Sequence, residues 1–175
     1  SLFGGVLGLL LAVFVGALFG LLLAVLVITY RVDQIIAGVA INILALGTTS
    51  FLTSHLLKSH PELNDAPIFR PIKIPFLSDL PVIGPTFFQH NFFVYGALLL
   101  IIASTFYLFK TGIGLRLRAV GEHPKAADTL GVNVLRLRYL NVTLAGMVAG
   151  FGGAWFTLGS VGRFDEAMTG GRGFI

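Results

Sequence analysis

Histidines and carboxylates are the side chains that could carry catalysis or bind a metal in this chain, which contains no cysteine. The four histidines are scattered along the chain, and none forms a His-x-x-x-His pair; they are His55, His60, His90 and His123. Metal sites and general acid–base sites need several such groups within reach of one another. The pattern therefore predicts no metal site, no catalytic centre and no cofactor, and it argues against an enzyme.

Four apolar stretches without a charged residue dominate the chain, which is 55% hydrophobic and only 11% charged. Soluble domains carry about 25% charged residues, so this composition predicts a membrane protein. Each stretch is close to the roughly 20 residues that a helix needs to cross a bilayer; they are residues 2–28, 34–57, 92–109 and 139–159. Because lipid offers the backbone no hydrogen-bond partners, we predict an all-α, polytopic transmembrane helix bundle.

A basic segment, residues 110–138, separates the third stretch from the fourth. It holds six of the chain's twelve Lys and Arg residues; they are Lys110, Arg116, Arg118, Lys125, Arg136 and Arg138. Basic loops between spans mark the cytoplasmic side of a membrane, so we expect residues 110–138 to face the cytoplasm. In this setting the net charge of +4 reflects topology, and we expect no nucleic-acid partner.

The opposite loop, residues 58–91, should then be extracytoplasmic. It contains six of the chain's seven prolines, with Ile, Phe and Leu between them. Proline fixes φ and lowers the entropy cost of ordering a loop. We predict a packed, mostly extended cap, and a simple connector is the alternative.

A stripe of small and polar residues follows one face of the second stretch. At 100° per residue its members fall close together; they are Gly38, Asn42, Ala45, Thr49 and Thr53. Such a stripe can line a solute path, for which the polar candidates are Asn42, Thr49 and Thr53. It can equally pack against another helix, with Asn42 hydrogen-bonded across the contact.

Glycines recur at four-residue spacing in the first and fourth stretches; the pairs are Gly4 with Gly8, Gly16 with Gly20 and Gly146 with Gly150, and Gly152 and Gly153 follow. This spacing lets helix backbones approach closely in lipid, so we predict close helix packing there.

The basic loop contains a short predicted helix, residues 124–131. Pro124 is favourable at the first helical position, and Gly131 is a natural stop. We expect Ala126, Ala127 and Leu130 to form an apolar side that fits a groove in a partner, with Lys125, Asp128 and Thr129 around it. The alternative is a helix bound only to lipid. After it, Arg136 and Arg138 should anchor the fourth span by reaching to lipid headgroups.

Several segments resemble the membrane subunits of ATP-binding-cassette importers of the branched-chain amino acid, ribose and simple-sugar type. The resemblance rests first on residues 114–133, which are similar to the conserved cytoplasmic loop of that family, and on residues 142–160. Residues 32–42 and 159–175 look most like its nucleoside and simple-sugar branch. His123 stands where relatives often have Asn.

The resemblance implies a permease subunit that moves a nucleoside or simple sugar across the cytoplasmic (inner) membrane. Residues 1–175 would be an internal part of a single transmembrane permease domain. The expected partners are cytoplasmic ATPase subunits, a second permease subunit, an extracytoplasmic solute-binding protein and membrane lipids. The residues expected to couple to the ATPase are Glu122, Pro124, Lys125, Ala126, Ala127, Asp128, Leu130 and Gly131. A membrane channel or scaffold without an ATPase partner is the alternative function.

Overall fold

The computed structural model describes residues 2–60, 64–69, 72–73 and 89–172 and is mainly helical. Its described helices are α1 (Leu2–Ala24), α2 (Gln34–Leu52), α3 (Phe92–Lys110), α4 (Gly112–Glu122), α5 (Pro124–Thr129) and α6 (Val134–Ala154). Three of them continue into π-helical turns, namely α1 into Val25–Thr29, α2 into Thr53–Leu57 and α6 into Trp155–Val161. Two short antiparallel strands, β1 (Ile72–Lys73) and β2 (Gln89–His90), pair Ile72 with His90.

Four helices are long and apolar enough to span a membrane. They are Phe3–Thr29, Gln34–Leu57, Phe92–Lys110 and Val134–Val161, of 27, 24, 19 and 28 residues. Even the shortest reaches about 28 Å at about 1.5 Å per residue, close to the thickness of the hydrocarbon core. The predicted all-α class and the four spans are confirmed.

The fourth span begins earlier than predicted, at Val134 instead of residue 139. Asn133 explains the difference, because its side-chain Oδ1 accepts a hydrogen bond of 2.9 Å from the Arg136 amide. Asn at this position satisfies a backbone donor that the first helical turn leaves without a partner. Two arginines are thereby included in the first turns of the helix, where a charge count alone excludes them.

The chain divides into two compact units, residues 1–69 with 142–175, and residues 70–141. In the first unit α1 and the later part of α6 run antiparallel with their backbones in contact. A Cβ on Gly20 would lie 2.9 Å from the Val142 carbonyl oxygen, and one on Gly16 would lie 2.9 Å from the Cα of Gly150. The close packing predicted from the glycine spacing is thus observed, although Gly152 and Gly153 have no neighbour within 4 Å of an added Cβ.

The described part of the proline-rich loop in this unit, residues 64–69, lies against the end of the fourth span. Asn64 donates from Nδ2 to the Phe164 carbonyl at 3.0 Å and accepts from the Phe164 amide at 2.8 Å. The Ala66 amide donates to the Gly162 carbonyl at 2.7 Å, and the Phe69 amide to the Leu158 carbonyl at 2.9 Å. This stretch is therefore packed, whereas residues 61–63, 70–71 and 74–88 of the predicted cap lie outside the described residues.

Candidate functional site

The second unit carries the basic loop, which leaves the third span through a tight turn at Thr111. The Thr111 hydroxyl donates to the Tyr107 carbonyl at 2.5 Å and accepts from the Gly114 amide at 3.1 Å. A Cβ on Gly114 would collide with the carbonyl oxygens of Tyr107 and Leu108. Only glycine therefore lets α4 begin directly against the end of α3, which fixes the direction in which the loop starts.

Helix α4 extends through the segment of alternating apolar and basic residues. Val120 on this helix is only 3% exposed, while the Arg118 guanidinium lies 5.2 Å from the centre of the Phe109 ring. At the end of the loop, the Tyr107 hydroxyl lies 3.3 Å from Oδ1 of Asn141. These contacts connect the segments before and after residues 124–129 to the third span. The short helix formed by these residues is therefore anchored on both sides.

Helix α5 is closed at both ends as the sequence predicts. Pro124 occupies its first turn, and Gly131 follows its end with φ of +80°. The Val132 amide donates to the Ala127 carbonyl at 3.1 Å, and the Gly131 amide donates to the Asp128 carbonyl at 2.9 Å. This is the Schellman arrangement, in which a left-handed residue lets two amides satisfy the last carbonyls of a helix.

The prediction that Ala126, Ala127 and Leu130 share one exposed apolar side is wrong for Ala127. Ala127 is 3% exposed and so is buried within the chain, whereas Leu130 is 83% exposed. Ala126 is exposed as well, and it stands four residues before Leu130 on the same helical face. The exposed apolar face of α5 is therefore Ala126 with Leu130. Ala127 faces a different direction from Ala126, because adjacent residues of a helix are about 100° apart. Its burial means that it packs against the rest of the chain.

The charged and polar side chains predicted around this face are at the surface. Glu122, Lys125, Asp128 and Thr129 are all exposed, and the Thr129 hydroxyl donates to the Ala126 carbonyl at 2.8 Å. The residues predicted to couple to an ATPase thus lie in and directly beside α5: Glu122 ends α4, Pro124 to Asp128 belong to α5, and Leu130 and Gly131 follow it.

The second candidate feature is the polar stripe of α2. Asp33 starts this helix by accepting from the Ile35 and Ile36 amides at 2.9 and 3.2 Å. Thr49 and Thr53 each donate a hydrogen bond of 2.8 Å to a carbonyl four residues earlier. Their hydroxyl protons are thus used within the helix, which leaves oxygen lone pairs as acceptors for another molecule.

Asn42 differs from the two threonines, because its exposed side chain makes no hydrogen bond within the described part of the chain. It keeps both amide donors and a carbonyl acceptor available. Sequence reasoning missed a further polar group here, Glu166, whose Oε2 lies 3.4 Å from the Ser50 hydroxyl. Nothing in the spacing of the sequence links two residues 116 positions apart.

Among the described residues, no three His, Cys, Asp or Glu side chains come together as metal ligands. The two candidate features lie in different compact units: the short helix α5 in residues 70–141, and the polar face of α2 in residues 1–69 with 142–175. Residues 2–171 match the family described as branched-chain amino acid transport system / permease component. The chain belongs to this permease family. Its members are transport components and integral membrane proteins, which agrees with the four spans.

The relatives of this permease chain include two named for nucleosides. The guanosine ABC transporter permease protein NupQ of Bacillus subtilis is 43% identical over 171 residues, 97% of this chain and 53% of the relative. The nucleoside ABC transporter permease protein NupC of Lactococcus lactis is 38% identical over 170 residues, with the same coverage of 97% and 53%.

A third relative of the permease chain is named for a sugar. The putative glucose ABC transporter permease protein TsgC13 of Haloferax volcanii is 36% identical over 156 residues, 87% of this chain and 46% of the relative. The chain thus spans about half the length of the curated relatives it matches. No solved structure matches it.

Proposed function

We propose that this chain is part of the permease subunit of an ATP-binding-cassette importer that carries a nucleoside or simple sugar across the cytoplasmic membrane. The observation that carries the proposal is α5 with its exposed Leu130, set in a basic loop between two spans of a chain 43% identical to a guanosine permease. The nucleoside assignment is supported by the names of two relatives and the sugar assignment by that of a third.

The loop of residues 110–138 faces the cytoplasm in this proposal, and α5 seats in a groove of an ATPase subunit. When ATP draws two ATPase subunits together, their motion passes through α5 to the spans. To transmit this motion α5 must be rigid. Its buried Ala127 and the Schellman motif at Gly131 both support rigidity. The chemistry of ATP hydrolysis belongs to the partner, so the permease needs no acid–base group.

The solute path in this proposal runs along Asn42, Thr49 and Thr53. The hydroxyls of a sugar or ribose can donate to the threonine oxygens, whose own protons are engaged in the helix. Asn42 can both donate and accept. A few weak contacts of this kind allow a solute to pass without being held.

Lipid or further protein must cover the exposed faces of the spans. Ala37 is the one buried residue of α2 in the described structure, and large side chains such as Ile43 remain exposed. We propose that other spans of the same subunit, a second permease subunit and membrane lipids cover these faces. An extracytoplasmic solute-binding protein would deliver the solute on the side of residues 58–91.

The docking step is tested in a full-length permease expressed with its ATPase. Ala126→Arg adds bulk and charge at the exposed face of α5, so the variant should enter the membrane normally but lose ATPase co-purification and solute-stimulated ATP hydrolysis. Lys125→Ala is the matched control on the polar rim and should change little, since exposed charge pairs contribute only about 0–1 kcal/mol. Normal ATPase binding by Ala126→Arg would refute the docking role of α5.

The orientation is tested with single cysteines at Ala119 and Asp65, two exposed positions in the opposite loops. The background should be a full-length permease without other cysteines. In intact cells an impermeant thiol reagent should label position 65 and leave position 119 unlabelled. The reverse pattern would overturn the proposed topology.

A further inference from the structure

A cavity of about 380 Å³ opens beside α5, where the basic loop meets the fourth span. Arg116 of α4 and Arg136 of α6 both line it, together with Asn133, Leu130 and Leu137. All these residues belong to the same compact unit. Val132 lines the cavity as well, so the cavity combines two guanidinium groups with three aliphatic side chains.

The two guanidinium groups lack a carboxylate partner among the described residues. Asp128, an acidic residue of the same loop, lines a second cavity of about 300 Å³ and forms no ion pair with either arginine. The Arg136 amide at the start of α6 is already used, because it donates to Asn133 Oδ1 at 2.9 Å. Arginine stays protonated in proteins, so the cavity presents two positive charges that an anion could neutralise.

The position of the cavity in the span identifies the kind of anion. Arg136 is the third residue of the span Val134–Val161, which puts its side chain at the level of the lipid headgroups. Leu137 follows on the hydrocarbon side, where the acyl chains of a phospholipid begin, whereas the aliphatic residues Leu130 and Val132 precede the span. Basic pockets at the ends of spans bind anionic headgroups in this way.

We infer that this cavity binds the phosphate group of an anionic phospholipid from the adjacent leaflet, with Arg116 and Arg136 as its ligands. Guanidinium groups match phosphate with two parallel hydrogen bonds, which favours arginine over a simple positive charge. An acidic side chain of a protein partner would use the two charges but not Leu137, which lies within the span. The inference does not depend on which solute is transported.

Two other arginines of the same helices provide a matched control for Arg116 and Arg136. Arg118 and Arg138 each follow a lining arginine by two residues, yet neither lines the cavity. Arg118 lies over the Phe109 ring instead, at 5.2 Å. Arg138 is expected to meet headgroups in general, so this control separates general attraction to the membrane from binding in the cavity. The double variants Arg116→Gln with Arg136→Gln, and Arg118→Gln with Arg138→Gln, remove the same net charge from the same two helices.

Native mass spectrometry of a full-length permease in detergent, titrated with phosphatidylglycerol, tests the inference. The first double variant should bind this lipid about tenfold more weakly than wild type, and the second should bind it nearly as wild type does. Arg116→Lys with Arg136→Lys keeps the charge without the paired geometry. This Lys double variant should bind phosphatidylglycerol only a few-fold more weakly than wild type. It still tests the inference if the Gln double variant does not fold.

Three results would overturn the inference. Equal weakening in the two Gln double variants would mean that surface charge alone attracts the lipid. Unchanged lipid binding together with lost ATPase association in the first variant would assign the cavity to a protein partner. Inorganic phosphate added to lipid-free protein should be displaced by phosphatidylglycerol; phosphate that the lipid does not displace would mean that the site takes free phosphate.

Discussion

Gly16 and Gly146 lie in backbone contact across two antiparallel spans, so that a Cβ on either residue would collide with the carbonyl oxygen of the other. Gly20 and Gly150 extend the contact along the same pair of helices. Lipid removes most of the hydrophobic force between helices, and close backbone packing becomes a main source of their association. These glycines therefore hold α1 and α6 together in the first unit.

Gly146→Ala should destabilise the protein, although alanine is the better helix former. The added Cβ forces the helices apart, and overpacking typically costs about 1–3 kcal/mol. Gly153→Ala on the same helix is the control, because its Cβ meets nothing within 4 Å and the propensity gain of up to about 1 kcal/mol remains. Thermal unfolding of full-length protein in detergent measures both variants. Equal melting temperatures would contradict the importance of this contact.

Asn64→Ala should loosen the packed loop at the end of the fourth span. The variant loses both hydrogen bonds to the Phe164 backbone, and each contributes about 0.5–1.5 kcal/mol. Trypsin cleavage after Arg163 should accelerate by about fivefold or more, since cleavage requires this segment to open. Asp65→Ala, at the exposed neighbouring position, should leave the rate unchanged. Wild-type cleavage of Asn64→Ala would show that the two bonds do not limit opening.

Gly131→Ala should destabilise the end of α5, because φ of +80° is unfavourable for a residue with a Cβ by about 1–2 kcal/mol. Hydrogen exchange in residues 124–133, followed by mass spectrometry, should accelerate by about 5- to 30-fold. Gly131→Asn should show a smaller effect, since Asn tolerates this conformation better. Gly121→Ala is the control, because a Cβ there meets nothing within 4 Å. Unchanged exchange in Gly131→Ala would mean that the Schellman closure does not stabilise α5.

Local signals predicted the spans and α5 well, since lipid solvation and capping act on neighbouring residues. Apolar length predicted the four spans, and Pro124 with Gly131 predicted both ends of the short helix. The burial of Ala127 escaped prediction, because it depends on how α5 rests on the loop. The pairing of Arg116 with Arg136 around one cavity also depends on the fold, since 20 residues separate them in the sequence.

Thr49→Leu should slow solute uptake in a full-length importer, because it replaces an acceptor oxygen on the proposed path with an apolar group. One lost hydrogen bond is worth about 1 kcal/mol, or about a fivefold change. Thr48→Leu is a close control: Thr48 is also exposed and donates to the carbonyl four residues earlier, at 2.7 Å, but it lies about 100° away on the helix. Uptake of radiolabelled guanosine, at matched amounts of folded importer, compares the two. Equal uptake would remove Thr49 from the path, and loss of folded protein in Thr49→Leu alone would favour helix packing as the role of this stripe.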